Sequence, residues 1–82
     1  MSVVALVRVR LADGAAAEEF ERWALRRPSV RTVWAIAGDD DYTLRVDCPD
    51  LAALNRELAS LRRRGRAQTT HTALVLHELA PP

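Results

Sequence analysis

Apolar and polar residues alternate with a period of two in four segments of the chain, at residues 3–10, 30–37, 42–48 and 69–79. This period is typical of β-strands, because successive side chains point to opposite faces of a sheet. The alternation is strictest in residues 42–48, where every second residue is apolar. Segments 3–10 and 30–37 carry apolar residues at both sets of positions, which predicts strands that are largely covered on both faces.

Two further segments have the period of an amphipathic helix. Residues 15–27 place apolar side chains at helical spacing, with acidic residues near the start and arginines near the end, as the helix dipole favours. Pro28 ends this helix, because proline cannot continue the helical hydrogen bonds. Asp50 is the predicted N-cap of the second helix, which carries a leucine stripe and ends in a run of arginines around Gly65.

The elements follow one another in the order β-α-β-β-α-β, with short connections. This order predicts an α+β domain of the ferredoxin-like type, an antiparallel sheet with two helices on one face. Right-handed crossovers place the first and third strands at its centre. The other face has no helix, yet we expect it to carry Val75 and either Val33 and Ala35 or the residues alternating with them, beside Arg8 and Arg45. The pattern therefore predicts a homodimer in which two sheets pack face to face, a dimeric α/β-barrel-like assembly.

Length and composition limit the classes of protein to consider. A chain of 82 residues predicts a single domain, residues 1–82. Hydrophobic residues make up 49% of it and charged residues 28%, which favours a globular protein over a disordered one. No apolar run reaches the roughly 20 residues of a membrane span. The N-terminus lacks a signal-peptide pattern, so we expect a cytoplasmic location and no membrane partner.

Charge and cysteine content predict few further interactions. The net charge of +1 gives no long-range attraction to nucleic acid, so direct nucleic-acid binding is not expected. The single cysteine, Cys48, is predicted to be a buried apolar residue, because it has no second cysteine with which to form a disulfide or a zinc site.

Three stretches of the sequence resemble the effector-binding C-terminal domain of the Lrp/AsnC transcriptional regulators. They are a valine-rich strand that ends at Gly38, a strand that follows Asp41, and a last strand that opens with Thr-His-Thr at Thr70. The resemblance covers nearly the whole chain. The helix-turn-helix usual in that family is not found in the sequence, so the chain resembles a stand-alone version of the domain.

The resemblance implies a domain that dimerises through its sheets, assembles into rings of dimers and binds amino acids or related small metabolites between dimers. In that family, the hairpin glycine, the aspartate after it and the threonines of the last strand line the effector pocket. With the neighbouring tip residues, the candidate effector-binding residues are Gly38, Asp40, Asp41, Tyr42, Thr70 and Thr72. The sequence departs from the family pattern at Asp40, where an aromatic residue is common.

The chemistry of these positions agrees with a zwitterionic ligand. Backbone amides beside a glycine that tolerates positive φ can cradle a carboxylate. Asp41 can accept charge-assisted hydrogen bonds from an ammonium group, and threonine hydroxyls can bind either group. Aspartates at a hairpin tip are also common as turn formers, and this second interpretation stays open. A metal site is not predicted, because consecutive strand residues point to opposite faces and no second acidic cluster follows.

The sequence thus predicts a module for small-molecule binding and oligomerisation in transcriptional regulation, with a full-length Lrp/AsnC regulator as a further partner and no cofactor. The alternative is an enzyme of the dimeric α+β-barrel type, such as a monooxygenase, isomerase or cyclase, with a cavity between sheet and helices. Its acid and base groups would come from His71, His77, Tyr42 and Asp41. A closed apolar cavity containing one of the histidines would favour the enzyme.

Overall fold

The computed structural model describes residues 2–82 and contains four strands and two helices in the predicted order. The elements are β1 (Val3–Leu11), α1 (Ala17–Leu25), β2 (Val30–Ala35), β3 (Tyr42–Cys48), α2 (Leu51–Arg63) and β4 (Ala67–Leu74). The strand order across the sheet is β2-β3-β1-β4, and all three strand pairs are antiparallel. The ferredoxin-like βαββαβ fold and the central position of β1 and β3 are confirmed. No helix in this part of the chain is long and apolar enough to cross a membrane.

Both helices lie on one face of the sheet, and the core is between the helices and the sheet. In β1, Ala5, Val7 and Val9 are completely buried, whereas the residues between them are exposed. In β3, the apolar residues of the strict alternation are buried, from Tyr42 to Cys48. The buried apolar helix residues are Phe20, Ala24, Leu54 and Leu61. The period of two therefore separates a core face from a face without helices.

We call the face without helices the open face. Cross-strand partners share a face, so the register assigns its residues. They are Val4, Leu6, Arg8, Arg10, Thr32, Trp34, Thr43, Arg45, Asp47, Thr69, His71 and Ala73. The register of β2 is irregular between Val30 and Thr32. As a result, Thr32 and Trp34 lie on the open face, and Val33 and Ala35 lie on the side of the helices.

The last strand is shorter than the sequence pattern predicts, spanning Ala67–Leu74 instead of residues 69–79. The Val75 amide still donates to the Val4 carbonyl oxygen at 2.8 Å. The register would next place Leu76 opposite Val3, but the chain leaves the sheet there, and His77 lies outside the strand. Alternation along one strand does not reveal where its partner strand begins, which is why the pattern overestimates this length.

Two further elements, α1 and β2, differ from the prediction by two residues at their ends. Helix α1 is two residues shorter at each end than predicted, because a turn with a positive φ of 80° at Gly14 precedes it and Pro28 lies just beyond it. Strand β2 ends two residues earlier than predicted. The predicted N-cap of α2 is confirmed, since the Asp50 carboxylate accepts a hydrogen bond from the Ala53 amide at 2.8 Å.

A buried ion pair connects α2 to the loop before β2. Glu57 is only 7% exposed, and its carboxylate accepts hydrogen bonds from Arg27 Nε at 3.0 Å and from the Ser29 hydroxyl. The Arg27 guanidinium also lies over the ring of Trp23, 5.2 Å from its centroid. Burial, followed by the negative charge of Glu57, raises the pKa of the Cys48 thiol. Cys48 is thus buried as predicted, beside a polar cluster that the sequence analysis missed.

Tyr42 connects the start of β3 to α1. Its side chain is 4% exposed, its ring centroid lies 4.7 Å from that of Phe20, and its hydroxyl donates to the Glu21 carboxylate. Burial, followed by the hydrogen bond to Glu21, raises the pKa of Tyr42 to about 12. One end of the β2–β3 hairpin is therefore anchored on the core side of the sheet.

We expect Glu57→Ala to lower the free energy of unfolding by about 2 to 4 kcal/mol, because it leaves the Arg27 charge without its buried partner. The measurement is urea unfolding followed by circular dichroism at pH 7. Asn55→Ala is the matched control, since Asn55 is an exposed residue of the same helix. Equal stability of the two variants would contradict a stabilising role of the ion pair.

Stability is also expected to fall at alkaline pH because of Tyr42. Between pH 10 and 12, the unfolded chain releases the phenol proton while the folded chain keeps it, so the free energy of unfolding decreases as pH rises. A shift of two pKa units corresponds to at most about 3 kcal/mol. Urea titrations at pH 8 and 11 measure the decrease, which should be smaller in Tyr42→Phe. An equal decrease in both proteins would show that Tyr42 is not responsible.

Candidate functional site

The loop between β2 and β3, which we call the hairpin tip (residues 36–41), is closed by a single backbone bond. The Ile36 amide donates to the Asp41 carbonyl oxygen at 2.9 Å. Gly38 has a φ of 154°, a backbone angle that residues other than glycine rarely adopt. Within the described residues 2–82, the amides of Ala37, Gly38, Asp39 and Asp40 donate no hydrogen bond. The tip thus carries four amides without an internal partner, three of them in exposed residues, Ala37, Gly38 and Asp39.

Asp41 holds the hairpin tip against β1 through both its main chain and its side chain. Its amide donates to the Val9 carbonyl oxygen at 2.8 Å. Its Oδ2 accepts a hydrogen bond from the Leu11 amide at 2.8 Å, at the register irregularity between Arg10 and Leu11. The side chain is exposed, and within residues 2–82 its Oδ1 has no hydrogen-bond partner. Asp41 is therefore fixed in position with one oxygen available.

Asp40 lies on the opposite side of the tip from the Asp41 carboxylate. Its Oδ2 is 3.7 Å from Arg8 Nε on the open face, and its side chain is 16% exposed, compared with 61% for Arg8. The two neighbouring carboxylates thus have different surroundings. Asp40 faces the surface predicted to pack against a second copy, and Asp41 faces the loop before α1.

An open pocket of about 370 Å³ lies between the hairpin tip and the loop before α1. Asp41 and Tyr42 line it from the hairpin, and Asp13 and Gly14 line it from the loop. Because the Tyr42 hydroxyl is bonded to Glu21, this side chain contributes its ring to the wall and not a free donor. The charged groups that line this pocket are carboxylates.

The two threonines lie on β4, away from the hairpin tip of the same chain. Thr70 pairs with Val9, which in turn pairs with Tyr42, so two strand spacings, about 10 Å, separate Thr70 from Tyr42. Thr72 lies further along the strand, opposite Val7. One copy of the chain therefore brings the four tip residues together but not the threonines.

The groups named for the enzymatic alternative are not gathered in one place. His71 is exposed on the open face, where it lines an open pocket of about 270 Å³ with Leu6 and Arg8. His77 is exposed beyond the end of β4. Tyr42 and Asp41 line a different pocket on the other side of the sheet. Within residues 2–82, no three His, Cys, Asp or Glu side chains are arranged to hold a metal ion.

Three residues that support the hairpin tip were missed in the sequence analysis: Arg8, Leu11 and Glu21. Each contacts the hairpin tip or the adjoining Tyr42 from an element far away in the chain, with sequence separations of 30 residues for Leu11 and 21 for Glu21. The sequence carries no local signal for such pairs. The polar position of Arg8 within an apolar strand was the one visible hint.

The arrangement suits a small zwitterion. A carboxylate can accept hydrogen bonds from the exposed amides around Gly38, and an ammonium group can donate to Asp41 Oδ1. The backbone of Asp41 is itself held at both ends, since its carbonyl oxygen accepts from the Ile36 amide and its amide donates to the Val9 carbonyl oxygen.

Comparison with known proteins identifies the kind of domain. A family model described as the Lrp/AsnC ligand-binding domain matches residues 2–81. A search of curated proteins found no match.

Solved structures with the same fold include transcriptional regulators with longer chains and a protein of similar length. A transcriptional regulator from Neisseria meningitidis in complex with L-methionine is 26% identical, with a TM-score of 0.86, over 96% of this chain and 53% of that one. An AsnC family transcriptional regulator from Agrobacterium tumefaciens is 23% identical, with a TM-score of 0.85, over 98% and 54%. A hypothetical protein from Pyrococcus horikoshii is 25% identical, with a TM-score of 0.76, over 93% and 92%.

The chain spans about half the length of the two regulators and nearly the whole length of the third protein. The family model covers almost every residue, and the fold agrees with that of the solved regulators. The chain therefore belongs to the Lrp/AsnC ligand-binding domain family.

Proposed function

We propose that this domain binds an amino acid or a related small metabolite at the hairpin tip and acts as an oligomerisation module in transcriptional regulation. The observation that carries the proposal is the row of exposed amides around Gly38 beside the Asp41 carboxylate, whose Oδ1 has no partner within residues 2–82. The Neisseria meningitidis regulator, which was solved with L-methionine, supports an amino acid as the class of ligand.

The six candidate residues have different parts in this proposal. Gly38 and Asp41 contact the ligand, because they carry the donors and the acceptor. Asp40 and Tyr42 position the tip through their contacts with Arg8 and Glu21. Thr70 and Thr72 complete the pocket from a neighbouring copy, since about 10 Å of sheet lies between Thr70 and the tip in one copy.

The proposed oligomer is inferred from the open face, where Leu6, Trp34 and Ala73 lie among charged side chains. Leu6 and Trp34 are 38% and 43% exposed, so this face carries large apolar side chains that the chain itself leaves partly uncovered. A second copy that packs face to face covers them. Rings of such dimers bring the threonines of one copy to the tip of another, and a full-length Lrp/AsnC regulator is the proposed further partner.

Ligand binding is tested by isothermal titration calorimetry of the chain with the 20 L-amino acids, beginning with L-methionine. We expect at least one of them to bind, and we expect Asp41→Asn to weaken that binding at least tenfold, or about 1.4 kcal/mol, because the ammonium loses a charged acceptor. The asparagine oxygen can still accept the Leu11 amide, so the fold should be kept.

Asp39→Asn is the matched control for this titration. Asp39 is the exposed neighbour of Asp40 and has the same charge as Asp41, so its removal changes the net charge equally. We expect its affinity to stay within about twofold of the original. Absence of binding by all 20 amino acids would refute the ligand class, and equal losses in the two variants would refute the specific role of Asp41.

The face-to-face dimer is tested by analytical ultracentrifugation. Leu6→Arg adds a charge in the middle of the open face, and we expect the dimer dissociation constant to rise at least tenfold. Leu51→Arg is the control, because Leu51 is 55% exposed on α2, on the side of the helices. A dimer that Leu51→Arg disrupts and Leu6→Arg leaves intact would mean that the helices, and not the sheets, form the interface.

A further inference from the structure

Residues 75–82, which we call segment 75–82, follow the end of β4 and carry large apolar side chains that are exposed. Leu76 is 90% exposed and Leu79 is 85% exposed, the highest values among the large apolar residues described. The segment is attached to the sheet by the hydrogen bond from the Val75 amide to the Val4 carbonyl oxygen. A partner surface that covered these two leucines would remove apolar area from water.

The ion pair of Glu78 shows which side of the sheet the segment follows. Glu78 Oε1 lies 3.5 Å from Arg45 Nη1. Arg45 is on the open face of β3, and β1 lies between β3 and β4. The segment therefore bends from the edge strand toward the middle of the open face, although Val3 is still available as a partner for continued strand pairing.

Glu78 also pairs one of the arginines of the open face. Of the three arginines that the register assigns to this face, Arg8 has Asp40 and Arg45 has Glu78 within 4 Å, whereas Arg10 has no carboxylate that close within residues 2–82. Without Glu78, Arg45 would bring a further unpaired charge into any interface formed by this face, and burying such a charge is costly. Charge pairing in a dimer through the open face therefore favours Glu78, and with it the segment, inside the interface.

The size of the sheet gives an independent reason. Four strands about 4.8 Å apart and about seven residues long, at about 3.3 Å per residue, cover roughly 450 Å². This is the projected area of the open face, and a segment of this length lying across it supplies additional apolar area to an interface.

We propose that segment 75–82 of each copy packs between the two sheets of the dimer, with Leu76 and Leu79 against the open face of the second copy. Glu78 remains beside Arg45 of its own copy and keeps that charge paired as water is excluded. This inference rests on the proposed face-to-face dimer and adds an exchanged segment to it. The surface that covers the two exposed leucines is thus the open face of a second copy of this chain.

The first test compares two double variants by analytical ultracentrifugation. We expect Leu76→Ser with Leu79→Ser to raise the dimer dissociation constant at least tenfold. His77→Ser with Ala80→Ser is the matched control in the same segment, and we expect it to stay within twofold of the original. All four residues are exposed and outside the sheet, so circular dichroism should show an unchanged fold in both variants.

The second test finds the surface that the segment contacts. A benzophenone is attached to Leu79→Cys in a Cys48→Ala background, and this unlabelled chain is mixed with uniformly ¹⁵N-labelled original chain. After irradiation, mass spectrometry should find cross-links from the unlabelled segment to ¹⁵N-labelled peptides of β1, β2 or β3. Such mixed-isotope links can form only between copies.

The outcomes separate this inference from the proposed dimer. If the original chain dimerises and both double variants keep its dissociation constant, the exchanged segment is wrong and the dimer stands. Cross-links confined to one isotope type, while the mixed dimer is present, would mean that the segment folds onto its own sheet. Cross-links to the helices of the labelled copy would also overturn the inference, and a monomeric original chain would overturn the dimer together with it.

Discussion

A sheet of four strands with helices on one face leaves a second face without helices, and the division of the side chains between these two faces organises the molecule. The strict alternation in β1 and β3 places completely buried side chains such as Val7 and Leu44 on the core face. It also places Leu6 and Arg45 on the open face. A domain of this size buries only about 60 to 65% of the surface of its unfolded chain, so a partner surface adds stability that the core cannot supply.

The hairpin tip lies where the two faces meet, and its consecutive aspartates divide between them. Asp40 is paired with Arg8 on the open face, whereas Asp41 binds the Leu11 amide beside the pocket on the other side. The backbone that joins them is also the backbone that carries the exposed amides. A ligand that moves this loop would therefore act on an ion pair of the proposed dimer interface, and by linkage the dimer would affect the ligand's affinity equally.

The sequence predicted the fold well, because the signals of the fold are local. Period-two alternation, a proline after α1 and an aspartate before α2 each act within a few residues, and the order of elements then left few topologies. The end of β4 was misjudged since the alternation continues through Leu76 after the chain has left β1. The sequence did not predict which residues of β2 face the helices, because this depends on the register irregularity between Val30 and Thr32.

The candidate site was predicted less completely, because its supports are distant in sequence. The residues of the tip were identified from a glycine, an acidic run and the family resemblance. Its anchors Arg8, Leu11 and Glu21, and the buried Glu57 cluster, depend on contacts between elements that no local pattern reveals. The proposed contact of the β4 threonines is also hidden from local sequence patterns, because it involves a second copy of the chain.

The central claim is that an amino acid binds at the hairpin tip. Its most direct test is a ¹H–¹⁵N correlation spectrum of the labelled chain, recorded during titration with L-methionine and then with the other L-amino acids. We predict that the amide signals of residues 37–41 shift most, together with those of Thr70 and Thr72. Saturable shifts confined to other regions, such as α2, or no shifts with any of the amino acids, would contradict the account.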